Sequence, residues 1–176
     1  DKHHINPHIV EAIEEARLVF PGKFKLVANL PYNAGSAVMI NLVTGPFIAD
    51  EMHVTVQKEV ADRMISEPGI KDYGILSILL GATGEAKQIR TLKPSVFWPQ
   101  PKVNSAFVQY VHDAEKVKNI KNIKILSKIA GALLQYRRKM LKSCCKLAAE
   151  QLGEMRNWPE IFNELGINPE IRPDNL

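Results

Sequence analysis

Asn29-Leu30-Pro31-Tyr32 carries the residue types with the clearest chemistry in this chain. The Asn29 side chain offers a carbonyl that accepts a hydrogen bond from an NH2 group. Pro31 lacks an N–H and has a fixed φ, so it stiffens the turn. The Leu30 carbonyl before it can point outward as a second acceptor. Tyr32 gives a flat ring on which a base can stack, a contact worth ~1–3 kcal/mol. Two acceptors beside a stacking surface suit one chemistry, methylation of an exocyclic amine on a nucleobase. Taken alone, the four residues fit an ordinary strand-to-helix turn equally well, with Asn and Pro as turn formers.

The flanking pattern places the tetrapeptide. Phe24-Lys25-Leu26-Val27-Ala28 is a short apolar run that predicts a buried strand, and residues 34–43 predict a helix stopped by Gly45-Pro46. The turn therefore lies at the carboxyl end of a strand, where open α/β sheets bind ligands. Upstream, Asn6-Pro7 predicts an N-cap and first helical position, and Ile9, Val10, Ile13, Ala16 and Leu18 an apolar face. His3, His4 and His8 cluster there without a carboxylate or thiol set, so they are expected to be solvated, and no metal site is expected. Downstream, Met52–Val56 alternates as a strand, and Gln57 begins a helix. Residues 74–82 form a buried helix, and 85–92 and 103–111 are strands. Between those strands, Pro99 and Pro101 hold the chain extended. Phe97 is expected to form a wall for a flat substrate, and Trp98 to anchor the loop hydrophobically.

Composition excludes several classes. The 176 residues are 45% hydrophobic and 24% charged, which is globular, with no apolar run long enough to span a bilayer. Nor is a signal-peptide pattern present. Cys144 and Cys145 are adjacent, so they cannot staple the fold, and reduced thiols in a cytoplasmic protein are expected. The net charge of +4 is uneven: residues 116–149 hold ten Lys or Arg and no acid. Such a block predicts contact with a polyanion. From His112 to Lys124 glycine and proline vanish, which marks a boundary. Beyond it Leu126, Ile129, Ala130, Leu133 and Leu134, continued by Met140, Leu141 and Cys144, predict an amphipathic helix with charge on its other face.

The chain resembles the KsgA-type small-subunit rRNA adenine dimethyltransferases, whose motif at the end of the fourth strand is Asn-Leu-Pro-Tyr. Further matches follow in the family's order. They are Gln57-Lys58-Glu59-Val60, Tyr73-Gly74-Ile75-Leu76-Ser77, the stretch Phe97-Trp98-Pro99-Gln100-Pro101-Lys102-Val103-Asn104-Ser105, Arg137-Arg138-Lys139, and the ending Gly166-Ile167-Asn168-Pro169-Glu170-Ile171-Arg172-Pro173. The resemblance implies an α/β fold: the C-terminal half of a Rossmann-like methyltransferase sheet over 1–112, then a small all-α, rRNA-binding domain over 113–176. It implies transfer of methyl groups from S-adenosylmethionine to adenine N6 in small-subunit rRNA, on a pre-30S-type particle. Asn29, Leu30, Pro31, Tyr32 and Phe97 would be catalytic, and Asn29 and Pro31 would also meet the cofactor. Lys102, Arg137, Arg138, Lys139, Lys142 and Lys146 would bind RNA, most of them on a basic helix running from Lys128 to Lys146.

The family's Gly-rich turn and ribose-binding acid cannot be placed; before Asn29 there is one glycine, Gly22. The chain starts at Asp1 and stops at Leu176, so a fragment is expected. Residues 24–29 should then form an unpaired edge, giving self-association or a need for the missing half. The piece alone should neither bind the cofactor nor methylate RNA. Two rivals stay open: an adenine-N6 methyltransferase for large-subunit rRNA or DNA, and a non-catalytic RNA-binding or ribosome-assembly factor.

Overall fold

The computed structural model describes residues 6–152 and 157–176, so His3 and His4 lie outside the described residues. In chain order the helices and strands are Pro7–Val19 (α1), Lys25–Asn29 (β1), Gly35–Thr44 (α2), Glu51–Gln57 (β2), Lys58–Met64 (α3), Ile75–Thr83 (α4) and Gly84–Leu92 (β3). They continue with Ser105–His112 (β4), Ala114–Lys118 (α5), Ile123–Leu134 (α6), Leu141–Leu147 (α7), Ala149–Leu152 (α8) and Trp158–Glu164 (α9).

The strands form one sheet in the order β1-β2-β4-β3. β1 and β2 are parallel, joined through α2, while β4 runs antiparallel to both β2 and β3. The period-2 pattern decides which side is covered. Met52, Val54 and Val56 of β2 and Ala106, Val108 and Tyr110 of β4 are buried on one face. Met39, Leu42 and Val43 of α2, Val60 and Met64 of α3, and Leu76, Leu79 and Leu80 of α4 join them in one core. Each of the Val, Leu and Met side chains contributes ~1.5–3 kcal/mol by leaving water. α4 is buried on several sides, as its sequence predicts, and its one deeply buried threonine is satisfied. Thr83 Oγ1 donates to Leu79 O at 2.6 Å and lies 2.8 Å from the Tyr110 hydroxyl. Gly84, which follows, has no room for a Cβ, which would sit 2.2 Å from Val111 O and 2.7 Å from the Tyr110 ring.

β1 lies at a sheet edge, as the family resemblance implies, and is not the buried strand its apolar run predicts, since none of its residues is buried. Leu26 and Ala28 pack toward the core, whereas Val27 on the opposite face is 76% exposed. α1 has the expected cap, with His8 N–H donating to Asn6 Oδ1 at 3.0 Å and Pro7 opening the helix. None of its residues is buried, so its apolar side is uncovered.

The later helices build a second core of Leu133, Leu141, Cys144, Cys145 and Phe162. α6 serves both cores: Ile123 and Leu126 pack on the first, Leu133 on the second. The expected continuous helix from Lys128 to Lys146 is corrected here. α6 ends at Leu134, residues 135–138 form turns, and α7 begins at Leu141. The reason is distant: Leu141 N–H donates to Ile171 O at 2.8 Å and Lys142 N–H to Pro169 O at 3.1 Å. Those carbonyls of the C-terminal segment take donors that a continuous helix would direct to its preceding turn. Cys144 Sγ reinforces the break by donating to Tyr136 O at 3.3 Å. Both thiols are free, and burial pushes Cys145 up to about 11. Among the described residues no group of His, Cys, Asp and Glu is placed to hold a metal ion, and no helix is long and apolar enough to cross a membrane.

Candidate active site

β1 delivers the tetrapeptide to the carboxyl edge of the sheet. Asn29 is in register with Thr55, and Leu30 N–H extends the ladder by donating to Thr55 O at 3.0 Å. Strand alternation then buries the Leu30 side chain in the core and leaves Asn29 exposed at the strand's end. Pro31 O accepts from Ala34 N–H at 3.1 Å and Gly35 N–H at 3.0 Å, closing the turn into α2. The fixed Pro31 φ and these two bonds make the turn stiff.

Tyr32 is held from across the sheet. Its hydroxyl lies 3.1 Å from Ser105 Oγ at the start of β4, while the residue stays 41% exposed. The ring is therefore tied at its tip and open on its surface. Opposite stands the loop between β3 and β4. Phe97 is half-buried, and its N–H donates to Pro94 O at 3.1 Å. Asn29–Tyr32 and Phe97–Pro101 together line a cleft of about 440 Å³. All five expected catalytic residues meet there. Trp98 corrects an expectation: at 96% exposed it anchors nothing and lines the cleft instead. Its loop holds it away from both cores, and its peptide bond to Pro99 is cis.

Ser105 is the residue that sequence reasoning passed over. It is buried and positions Tyr32. The available signal was its place in the Phe-x-Pro-x-Pro-Lys-Val-x-Ser match, but only the fold pairs it with a tyrosine 73 residues away.

The cleft lining contains no acid and no glycine. It fits a flat base between aromatic surfaces with amide acceptors at its edge. It does not fit an entire nucleoside-bearing cofactor, whose ribose needs a hydrogen-bonding acid and whose backbone approach needs glycine.

Of the six expected RNA-binding residues, Lys142 and Lys146 line one recess and Arg137 and Arg138 another. Lys102 is exposed beside the cleft, in an adjoining recess with Gln57 and Lys58. Arg138 and Lys139 are exposed in the turn between α6 and α7. Arg137 ties the loop between α3 and α4 to the C-terminal segment, donating to Lys71 O at 2.9 Å and to Asp174 Oδ2 at 3.1 Å. Lys142 is ion-paired with Glu170, and Lys146 is exposed on α7. On the sheet face away from the helices Glu51 meets His53 at 3.1 Å and Lys25 and Lys23 at 3.0 Å each. Bonding to His53, then to Lys25 and Lys23, holds its carboxyl down at about 2.

Comparison with known proteins bears on this geometry. Residues 9–167 match the model of the ribosomal RNA adenine dimethylase family. A ribosomal RNA small subunit methyltransferase A of Halothermothrix orenii is 35% identical over 162 residues, 92% of this chain and 54% of that protein. One of Lawsonia intracellularis is 34% identical over 169 residues, 96% of this chain and 60% of that protein. The chain thus spans little more than half the length of these curated relatives. The crystal structure of a dimethyladenosine transferase from Plasmodium falciparum superposes with a TM-score of 0.71 at 20% identity, covering 98% of this chain and 75% of that one. That of the 23S rRNA methyltransferase ErmE gives 0.54 at 17% identity, covering 98% and 76%. Both likenesses are of fold.

Proposed function

Because the chain belongs to the ribosomal RNA adenine dimethylase family, we propose that the whole protein transfers methyl groups from S-adenosylmethionine to N6 of adenine in small-subunit rRNA. The observation that carries this is the cleft that joins Asn29, the Leu30 carbonyl and the tethered Tyr32 ring to Phe97 and Trp98. An adenine must leave its stack to enter. Tyr32 and Phe97 face it, with Trp98 at the rim. Its N6 lone pair is delocalised into the ring and is a poor nucleophile. Acceptors at Asn29 and the Leu30 backbone hold the amino hydrogens and favour a pyramidal nitrogen, and their dipoles already face the positive charge that develops there. No general base is required early, since an ammonium proton is lost readily afterwards. The cofactor supplies the methyl group, and Asn29 and Pro31 are the residues of this chain assigned to its reactive end.

The working division is a partial catalytic domain over 1–112 and a helical RNA-binding domain over 113–176. Lys102, Arg138, Lys139 and Lys146 are exposed cations suited to phosphate on a pre-30S-type particle in the cytoplasm. Arg137 and Lys142 reach RNA only at the expense of the Asp174 and Glu170 pairs. The unpaired edge of β1, with Val27 exposed, supports self-association of these residues on their own. Sedimentation of the 176-residue chain tests that association, and a monomer at all concentrations rejects it.

The names of the relatives favour the small subunit over the large one. Full-length protein incubated with labelled S-adenosylmethionine and undermethylated small subunits should yield dimethyladenosine. In a parallel incubation with unmethylated large-subunit rRNA, label entering that RNA and not the small subunits supports the first rival. RNA binding with no methyl transfer supports a non-catalytic assembly factor.

A further inference from the structure

A second recess of about 430 Å³ adjoins the base cleft, lined by Gln57, Lys58, Glu59, Pro94, Lys102, Val103 and Asn104. We infer that it is a subsite for the nucleotide next to the target adenine, with the amides of Gln57 and Asn104 reading its base edge and Lys102 meeting its phosphate. The assignment depends on a nucleobase entering the first cleft.

The placement comes from the sheet and one loop. Asn29 and Gln57 end neighbouring parallel strands, and Asn29 is in register with Thr55, two residues before Gln57. Strand spacing of ~4.8 Å and a rise of ~3.3 Å per residue put their Cα atoms roughly 8 Å apart. The loop lines both recesses in turn, residues 97–101 the first and 102–104 the second. Ser105 then fixes Tyr32 and pairs in register with Gln57. A strand of RNA with one base in the first cleft therefore has its neighbour beside the second.

The chemistry in the recess is selective. Lys58 is ion-paired with Asp62, and Glu59 with Arg63. Gln57 stands at the N-cap of α3 yet makes no capping bond, so its amide is available. The Asn104 backbone carbonyl accepts from Lys58 N–H at 2.9 Å, which fixes the residue while its side chain stays exposed. Amides carry both donors and acceptors, which suits a base edge rather than a bare anion. Pro94 and the 45% exposed Val103 provide apolar surface for the base face. Lys102 is the remaining cation, on the loop between the recesses.

The test uses full-length protein and RNA hairpins in which the nucleotides flanking the methylated adenine are varied. Wild type should show a flank preference in kcat/KM. Gln57→Ala and Asn104→Ala should each reduce the ratio between best and worst flank by about fivefold, the scale of one net hydrogen bond. Lys102→Ala should leave the ratio intact while flattening the log–log salt slope of binding by about 1. Asn104→Ser, which retains a small polar side chain, guards against a folding defect, and should reduce the ratio as Asn104→Ala does. Active wild type whose flank preference is absent, or is unchanged in all three amide variants, overturns the subsite alone. Wild type that does not methylate RNA overturns the first cleft and the subsite with it.

Discussion

The link between Tyr32 and Ser105 can be dissected with three variants, because its two ends differ in burial. Ser105 is 1% exposed and Tyr32 41%. Tyr32→Phe keeps the ring but leaves a buried Ser105 hydroxyl without this partner, a penalty of ~1–3 kcal/mol. Ser105→Ala frees the Tyr32 hydroxyl, which can turn to water, so the cost is the net value of one bond, ~0.5–1.5 kcal/mol. Removing both leaves no orphan. The double variant should therefore be no less stable than Tyr32→Phe, with a coupling of about 1 kcal/mol in a urea double-mutant cycle. Function should follow a different pattern. All three variants lose the same tether on the stacking ring, so kcat should fall by a similar factor, roughly fivefold to tenfold for a bond of ~1 kcal/mol. KM for RNA should change little, because phosphate contacts dominate affinity. Additive stability effects would show that the 3.1 Å approach carries no energy. A double variant with tenfold lower kcat than either single variant would show that Ser105 acts through something other than Tyr32.

In full-length protein, Asn29→Ala should lower the methylation rate by a factor on the order of 10²–10³, the effect of losing an oriented dipole in the transition state, with RNA binding nearly unchanged. Near-normal turnover would remove Asn29 from the mechanism. Arg138→Ala and Lys139→Ala should each flatten the salt dependence of RNA binding by about 1 in log–log slope at constant stability. Arg137→Ala should instead lower stability by ~1–2 kcal/mol, since it frees Lys71 O and Asp174; equal behaviour of all three in urea melts contradicts that separation. Glu51 gives a pH dependence. Its folded-state value of about 2 lies below its ordinary 4.5, so its contribution is complete above about 4.5 and fades as pH falls toward about 2. The stability difference between wild type and Glu51→Gln should be constant at neutral pH and shrink across that window. A difference that grows on acidification would reverse the sign.

Local rules made much of this fold legible. Period-2 alternation gave β2 with its correct faces, and continuous apolar character gave the buried α4. Asn6-Pro7 gave the start of α1, and Asn-Leu-Pro-Tyr gave the turn at the carboxyl end of β1. In each case the cause lies within a few residues, in a capping oxygen, a proline φ or a repeat of apolar side chains. The edge position of β1 was also predictable, but from the family's strand order rather than from periodicity.

The features that local rules did not supply depend on contacts far along the chain. A stretch with good helical spacing breaks after Leu134 because carbonyls of Ile171 and Pro169 capture the N–H groups of Leu141 and Lys142. Arg137 looks like its neighbours Arg138 and Lys139, yet its partners lie 66 and 37 residues away. Trp98 looked like an anchor, but its side chain is 96% exposed. Periodicity and motif thus determined which elements form and which residues could do chemistry. Only tertiary structure decided which side chains face each other, because hydrogen-bond geometry and burial are set where elements distant in sequence meet.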